Sequence, residues 1–206
     1  ATDSFNTAVG YQAGAAVTTG IKNTLIGSVA GDALTDADFN VAVGDFALSA
    51  DTLGSRSVAI GRAALTSQNF TTATDTYNVA VGYDAGVSVT TGTLNTLIGG
   101  LAGDALNTGL QNTALGYVAL SADTKGQGAV ALGYGALFSQ NFTTATANYN
   151  TAVGYNAGTA VSTGIQNTLI GGLAGDALTD ADQNVAVGYA ALTSDTLGSK
   201  SIAIGR

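Results

Sequence analysis

Asp36 and Asp38 stand two residues apart, and Asp180 and Asp182 repeat the arrangement further along the chain. Oxygen ligands at such a spacing could hold Ca²⁺. Thr108 and Leu110 occupy the corresponding places between them. Neither the long oxygen-rich loop of an EF-hand nor the glycine-aspartate nonapeptide of calcium-binding rolls is present, so these carboxylates read as solvated loop residues. Asp32, Asp104 and Asp176 read as turn formers. No metal and no cofactor are expected. Catalysis has little to draw on either. The chain lacks His, Cys and Glu, and all 14 acidic residues are Asp. That removes the usual base and nucleophile pairs. Paired aspartates can hydrolyse glycosides, but nothing places two of them across a defined cleft. The expectation is a protein that is not an enzyme.

Binding chemistry is better represented. The stretch Ser67-Gln68-Asn69-Phe70-Thr71-Thr72-Ala73-Thr74 returns unchanged as Ser139 to Thr146. Insertions of this kind in repeat proteins emerge as loops on one face, often the binding face. Gln68, Asn69, Phe70, Thr71 and Thr72, with Gln140, Asn141, Phe142, Thr143 and Thr144, are therefore the candidate receptor-contact residues. An aromatic ring beside amides and hydroxyls suits a sugar or a protein surface. The alternative is a packed corner in which each Phe covers the coil or a neighbouring chain. Tyr11, Tyr83 and Tyr155 form a second candidate set, with Tyr117, Tyr134 and Tyr189 in the same column. A tyrosine stripe could be a carbohydrate platform, or a structural column at a strand edge or oligomer interface.

What positions these residues is a recurrent glycine. It falls at Gly10, Gly27, Gly44 and Gly61, then at Gly82, Gly99, Gly116 and Gly133, then at Gly154, Gly171, Gly188 and Gly205. The spacing is 17 residues within each group of four and 21 between groups. A short fixed period over a whole chain is the signature of a solenoid, each unit being one turn of a continuous coil. The expected fold is all-β, a parallel β-solenoid (β-roll) of about twelve turns. Residues 1–206 form a single solenoid segment of a longer repeat array, with sets at 6–77 and 78–149 and an incomplete set at 150–206. Residues 6–62 and 150–206 share 44 of 57 identities.

Each glycine is the fifth residue of a phrase such as Asn40-Val41-Ala42-Val43-Gly44. Five residues with β-branched members, ended by Gly, read as a short strand. Positions 2 and 4 share one face, and positions 1, 3 and 5 the other. Position 4 is always Val, Ile or Leu, so it is expected inside the coil, together with the alanines of position 8. Position 3 is Ala or Leu, so the small second face is expected to meet neighbouring chains, Ala59 among them. Asn fills position 1 in nine turns, from Asn6 to Asn184, and stacked amides can form a ladder. Gly at position 15, as in Gly20 and Gly54, suggests a positive φ that is common but not obligatory, since Ala37 and Ala181 take the same place. So thin a core predicts an obligate assembly of parallel chains.

Six basic residues against 14 acidic give a net charge of -8. Nucleic-acid binders cluster Lys and Arg, so no nucleic-acid role is expected. No apolar run is long enough to cross a membrane as a helix, and no signal-peptide pattern opens the chain. Ala1-Thr2-Asp3-Ser4-Phe5 reads like Ala73 to Tyr77, the tail of a 21-residue turn, and Ser201 to Arg206 opens a turn left unfinished. Further turns are expected on both sides.

The phrases at 6–14 (Asn-Thr-Ala-Val-Gly-Tyr-Gln-Ala-Gly) and 57–65 (Ser-Val-Ala-Ile-Gly-Arg-Ala-Ala-Leu) resemble the head repeats of YadA-like trimeric adhesins. The likeness covers essentially the whole chain. It implies a left-handed parallel β-roll, three parallel chains about one axis, and an extracellular adhesive role. Turns of 17 and 21 residues with Gly-Tyr-x-Ala, Thr-Thr-Gly and Ser-Gln-Asn-Phe-Thr-Thr resemble repeats in tail-fibre proteins of marine bacteriophages. The expected function is a trimeric shaft or receptor-recognition segment of a phage tail fibre, on the virion surface, binding a host glycan or protein. The alternatives are the head of a bacterial trimeric autotransporter at the cell surface and, more remotely, an ice-binding solenoid. The last needs a flat rank of Thr, and position 2 supplies Thr in only six of twelve turns.

Overall fold

The computed structural model describes residues 4–206. Ala1 to Asp3, and with them most of the tail-like opening phrase, lie outside the described residues. Twelve three-residue strands, from Thr7–Val9 to Ile202–Ile204, stack in sequence order into one parallel sheet. The register is constant. Val41 pairs with Val58, Ala42 with Ala59 and Val43 with Ile60, and the same alignment recurs at each step. The fold is thus a β-solenoid whose turns superpose residue for residue. There is no helix among the described residues, hence none long and apolar enough to cross a membrane. At the ordinary strand spacing of about 4.8 Å, twelve turns make a rod roughly 55 Å long.

The two faces of the strand are the reverse of the sequence expectation. Position 3 points inward: Leu25, Ala42, Ala59, Ala80, Leu97 and their successors are buried in the coil. Position 4 points outward. Ile60 is 38% exposed, Ile26 39% and Leu115 44%, and the position 2 residues between strand ends are half-buried. One physical fact inverts the assignment. Position 1 must face inward, because its Asn amide pairs with backbone inside the coil, and position 3 shares that face. The position 8 alanines, from Ala30 to Ala191, do lie against the interior.

Besides Leu34, Leu106 and Leu178 at position 12, leucine enters the core from two alternating places. Where position 3 is Leu, position 9 is Gly, as with Leu25 and Gly31 or Leu97 and Gly103; Leu48, Leu65, Leu120 and Leu137 at position 9 instead accompany Ala at position 3. A methyl group on Gly31 would sit 2.8 Å from both Leu25 Cδ2 and Leu34 Cδ1. In the turns that have Ala at position 3 and Gly at position 9, as with Ala80 and Gly86, leucines of the neighbouring turns (Leu65 and Leu97) reach into the space, which keeps the interior dense.

Corners are made by left-handed residues, most of them not glycine. Position 7 (Gln12, Val29, Phe46, Asp84) has φ between 48° and 59°, and position 17 (Lys22, Phe39, Arg56, Leu94) between 58° and 63°. Such angles are costly for L side chains and persist only where neighbours enforce them. Here the inter-turn ladder enforces them: Val29 N donates to Tyr11 O at 2.8 Å and Arg56 N to Asp38 O at 3.0 Å. The position 15 glycines do not have the positive φ the sequence suggested. Gly is favoured there for space, since a Cβ on Gly20 would strike the Ala37 carbonyl of the next turn.

Candidate functional site

The Asn column forms the expected ladder, and it is buried. Asn40 N donates to Asn23 Oδ1 at 2.9 Å, and Asn40 Nδ2 donates to Gly54 O at 2.9 Å. Each amide thus fixes the next turn and caps a carbonyl inside its own. The ladder loses a rung at Ser57 and Ala129, the fourth turn of each set. There the 21-residue turn supplies a substitute from position 12. Gln68 Nε2 donates to Asp51 Oδ2 at 2.6 Å and to Ser57 Oγ at 2.8 Å, and Gln68 Oε1 accepts from Asn78 Nδ2 at 2.8 Å. Gln140 repeats the bonds to Asp123 Oδ2 and from Asn150 Nδ2.

Asp51 completes the plug. Its Oδ1 accepts the backbone N–H of Gly54 at 3.1 Å and of Phe70 at 3.0 Å, and Asp123 does the same for Gly126 and Phe142. Position 12 therefore reads Val, Leu, Asp, Gln down each set, half apolar and half polar. The four added residues then run outside this plug. They form a short parallel pairing of Gly54–Ser55 with Thr74–Asp75, and of Gly126–Gln127 with Thr146–Ala147.

This geometry corrects the candidate contact residues. Phe70 and Phe142 are 7% and 6% exposed, and Gln68 and Gln140 are fully buried. The backbone bonds to Asp51 and Asp123 draw each Phe inward, so the rings are not presented to a partner from this chain. Asn69, Thr71 and Thr72, and likewise Asn141, Thr143 and Thr144, remain on the surface. Thr52 Oγ1 donates to Asn69 Oδ1 and to Phe70 O, which fixes the loop to the turn before it.

The paired aspartates do not converge. Asp36 Oδ1 accepts the Thr19 hydroxyl, and Asp38 Oδ1 accepts the Ile21 N–H at 2.8 Å. Asp180 and Asp182 bond in the same way to Thr163 and Ile165. Each carboxylate is a tie between turns.

The tyrosines of position 6 lie outside. Tyr117, Tyr134 and Tyr155 are consecutive rungs with ring centroids 5.7 and 5.3 Å apart, stacked along the rod. Elsewhere the column is interrupted. Arg62 lies over Tyr83 at 5.3 Å and pairs with Asp84 at 2.7 Å, and the hydrogen bond to that carboxylate raises the Arg62 pKa above its ordinary value. The sequence reading did not single out the neighbours of this column, Phe138, Asn156 and Thr159. Their signal was present as differences between residues 72 apart rather than as a motif. No family model, curated protein or solved structure matches the chain.

Proposed function

We propose that the chain is a non-enzymatic segment of an extracellular fibre, a trimeric β-roll shaft or receptor-recognition part of a phage tail fibre that mediates attachment to a host surface. One observation carries this reading. Positions 2 and 4 form a continuous outward ladder of Val, Ile, Leu and Thr along twelve strands, much of it exposed on the single chain. A contiguous apolar strip of this length marks an interaction surface. Because every turn repeats it in register, its natural complement is the same strip on a parallel copy. The count of three and the extracellular setting rest on the resemblance to trimeric adhesin and tail-fibre repeats. Three chains bearing the same surface groups at fixed spacing would gain avidity without new contacts.

Light scattering tests the assembly. A mass three times the 20.2 kDa chain is the expected result, and a stable monomer at micromolar concentration overturns it. Attachment is tested by incubating the labelled oligomer with candidate host cells. Saturable retention is expected, and its absence from every susceptible host removes the recognition role.

A further inference from the structure

A cleft of about 180 Å³ opens beside the tyrosine stack, lined by Val118, Tyr134, Gly135, Phe138, Asn156 and Thr159. From its residues we infer that it binds one uncharged sugar ring of a surface polysaccharide. This rests on the reading of the chain as an attachment fibre, and it assigns the contact to a place other than the 21-residue loops.

Four observations carry it. First, the size is below the roughly 300–1,000 Å³ of pockets for drug-sized ligands, so a single ring is the natural occupant. Second, Phe138 is 43% exposed, an aromatic face open beside polar groups. The C–H face of a pyranose packs on such a surface, whose π cloud is electron-rich. Tyr134 is stacked between Tyr117 and Tyr155, so it offers a rigid edge and a hydroxyl rather than a face. Third, the Asn156 and Thr159 backbones are tied by bonds from Asn156 N to Tyr134 O and from Thr159 N to Asn156 O. Their side-chain amide and hydroxyl have no hydrogen-bond partner among the described residues and are available to sugar hydroxyls.

Fourth, the cleft belongs to one place in the repeat. Its six residues correspond, 72 positions earlier, to Phe46, Arg62, Ala63, Thr66, Asp84 and Val87, and every one differs. In that earlier set the Arg62–Asp84 ion pair spans the same ground. In the later set Tyr134 and Asn156 replace the pair, and Gly135 replaces Ala63. A Cβ at Gly135 would collide with Asn156 Oδ1, so the glycine lets the Asn156 amide lie over the cleft floor. No charged side chain lines it, which selects a neutral sugar over an acidic one.

The test transplants the earlier set onto the later one. Tyr134→Arg, Gly135→Ala, Phe138→Thr and Asn156→Asp together install residues that the same backbone already carries at 62, 63, 66 and 84, so the variant keeps its fold and melting temperature. The assembled chain is passed over immobilised neutral oligosaccharides ending in glucose, galactose or N-acetylglucosamine, and over sialylated and uronic-acid counterparts. Wild type is expected to bind at least one neutral probe, with affinity at least tenfold higher than the variant. Failure to bind any neutral probe, equal binding by the variant, or preference for the acidic probes overturns the proposal. A change in oligomer mass in the variant overturns it too, because the cleft is then a contact between chains. If wild type still adheres to host cells while the sugar result is negative, the cleft falls and the attachment reading stands. If it adheres to no cell, that reading falls whatever the sugar result.

Discussion

Gln68 Oε1 accepts the Nδ2 hydrogen of Asn78 at 2.8 Å, ten residues away along the chain and one turn along the rod. This bond re-joins an asparagine ladder that would otherwise stop at Ser57. Replacing Gln68 by Leu leaves Asp51 Oδ2 without its amide donor and Asn78 Nδ2 without one acceptor. Unpaired buried polar groups cost about 1–3 kcal/mol each. Urea unfolding should therefore show a loss of about 2–5 kcal/mol. The isosteric Gln68→Glu can donate to Asp51 only when protonated, so its loss of stability should grow as pH rises and the buried carboxyl ionises beside Asp51.

The outward face of the strand can be separated from the interior by two arginines. Ile60→Arg places a charge on the exposed apolar strip, whereas Ala59→Arg places it in the closed coil. The first should yield folded protein of reduced mass by light scattering, with β-type circular dichroism retained. The second should abolish folding, since a buried unpaired charge is strongly destabilising. Thr72→Arg, on the surface loop, should do neither.

Phe70→Ala and Phe142→Ala should each destabilise by about 3–5 kcal/mol, as for other buried aromatic truncations. Asn69→Ala and Thr71→Ala should shift the thermal midpoint little, because these side chains are exposed. Equal effects from all four would contradict the burial of the rings.

Glycines at two positions should respond oppositely to alanine. Gly116 has φ of 142°, and an added Cβ would collide with the Gly133 carbonyl, so Gly116→Ala should prevent proper stacking of its turn. Gly172 has no left-handed φ, and its Cβ would make only ordinary contacts, with the Tyr189 ring at 3.6 Å and the Tyr155 carbonyl at 4.0 Å. Gly172→Ala should be neutral or stabilising by up to about 1 kcal/mol, through the unfolded chain. Thermal melts of the two variants give the comparison directly.

One substituted pair offers a finer test. Ser57 Oγ and Thr76 Oγ1 bond at 2.6 Å, while the later set has Ala129 and Asn148 in their places, with Asn148 Nδ2 buried and unpartnered. Restoring the earlier pair with Ala129→Ser and Asn148→Thr should raise stability by about 1 kcal/mol. The two changes should be non-additive when measured in a double-mutant cycle, since they touch.

Much of the fold was legible because the solenoid period and the strand phrase depend only on local residue order. The alanines of position 8 and the asparagine ladder followed from that. Which face of the strand turns inward did not follow. Val43 and Ile60 are more apolar than Ala42 and Ala59, so ordinary burial preference favoured them. The deciding residue was Asn40, whose amide needs the carbonyl of Gly54 and takes Ala42 inward with it. Phe70 misled for a related reason. Its backbone N–H is captured by Asp51, nineteen residues earlier, and no local signal shows that bond. The cleft near Phe138 carries no motif at all, and becomes visible only when Tyr134 is set against Arg62.

The order Val, Leu, Asp, Gln at position 12 also governs how such a rod can change length. Removing residues 40–56 takes Asp51 with it and sets the Gln68 amide against Leu34, so the hydrogen that Asp51 Oδ2 accepted loses its partner and only the bond to Ser57 Oγ remains. Removing residues 78–149 sets Asn78's equivalent, Asn150, beneath Gln68 and restores every bond. The buried bonds therefore favour length changes that keep Asp51 and Gln68 in adjacent turns. Losing residues 78–149 shortens the rod by four turns, about 19 Å at the strand spacing, and takes Tyr83, Tyr117 and Tyr134 with it, so the stack on Tyr155 is lost as well.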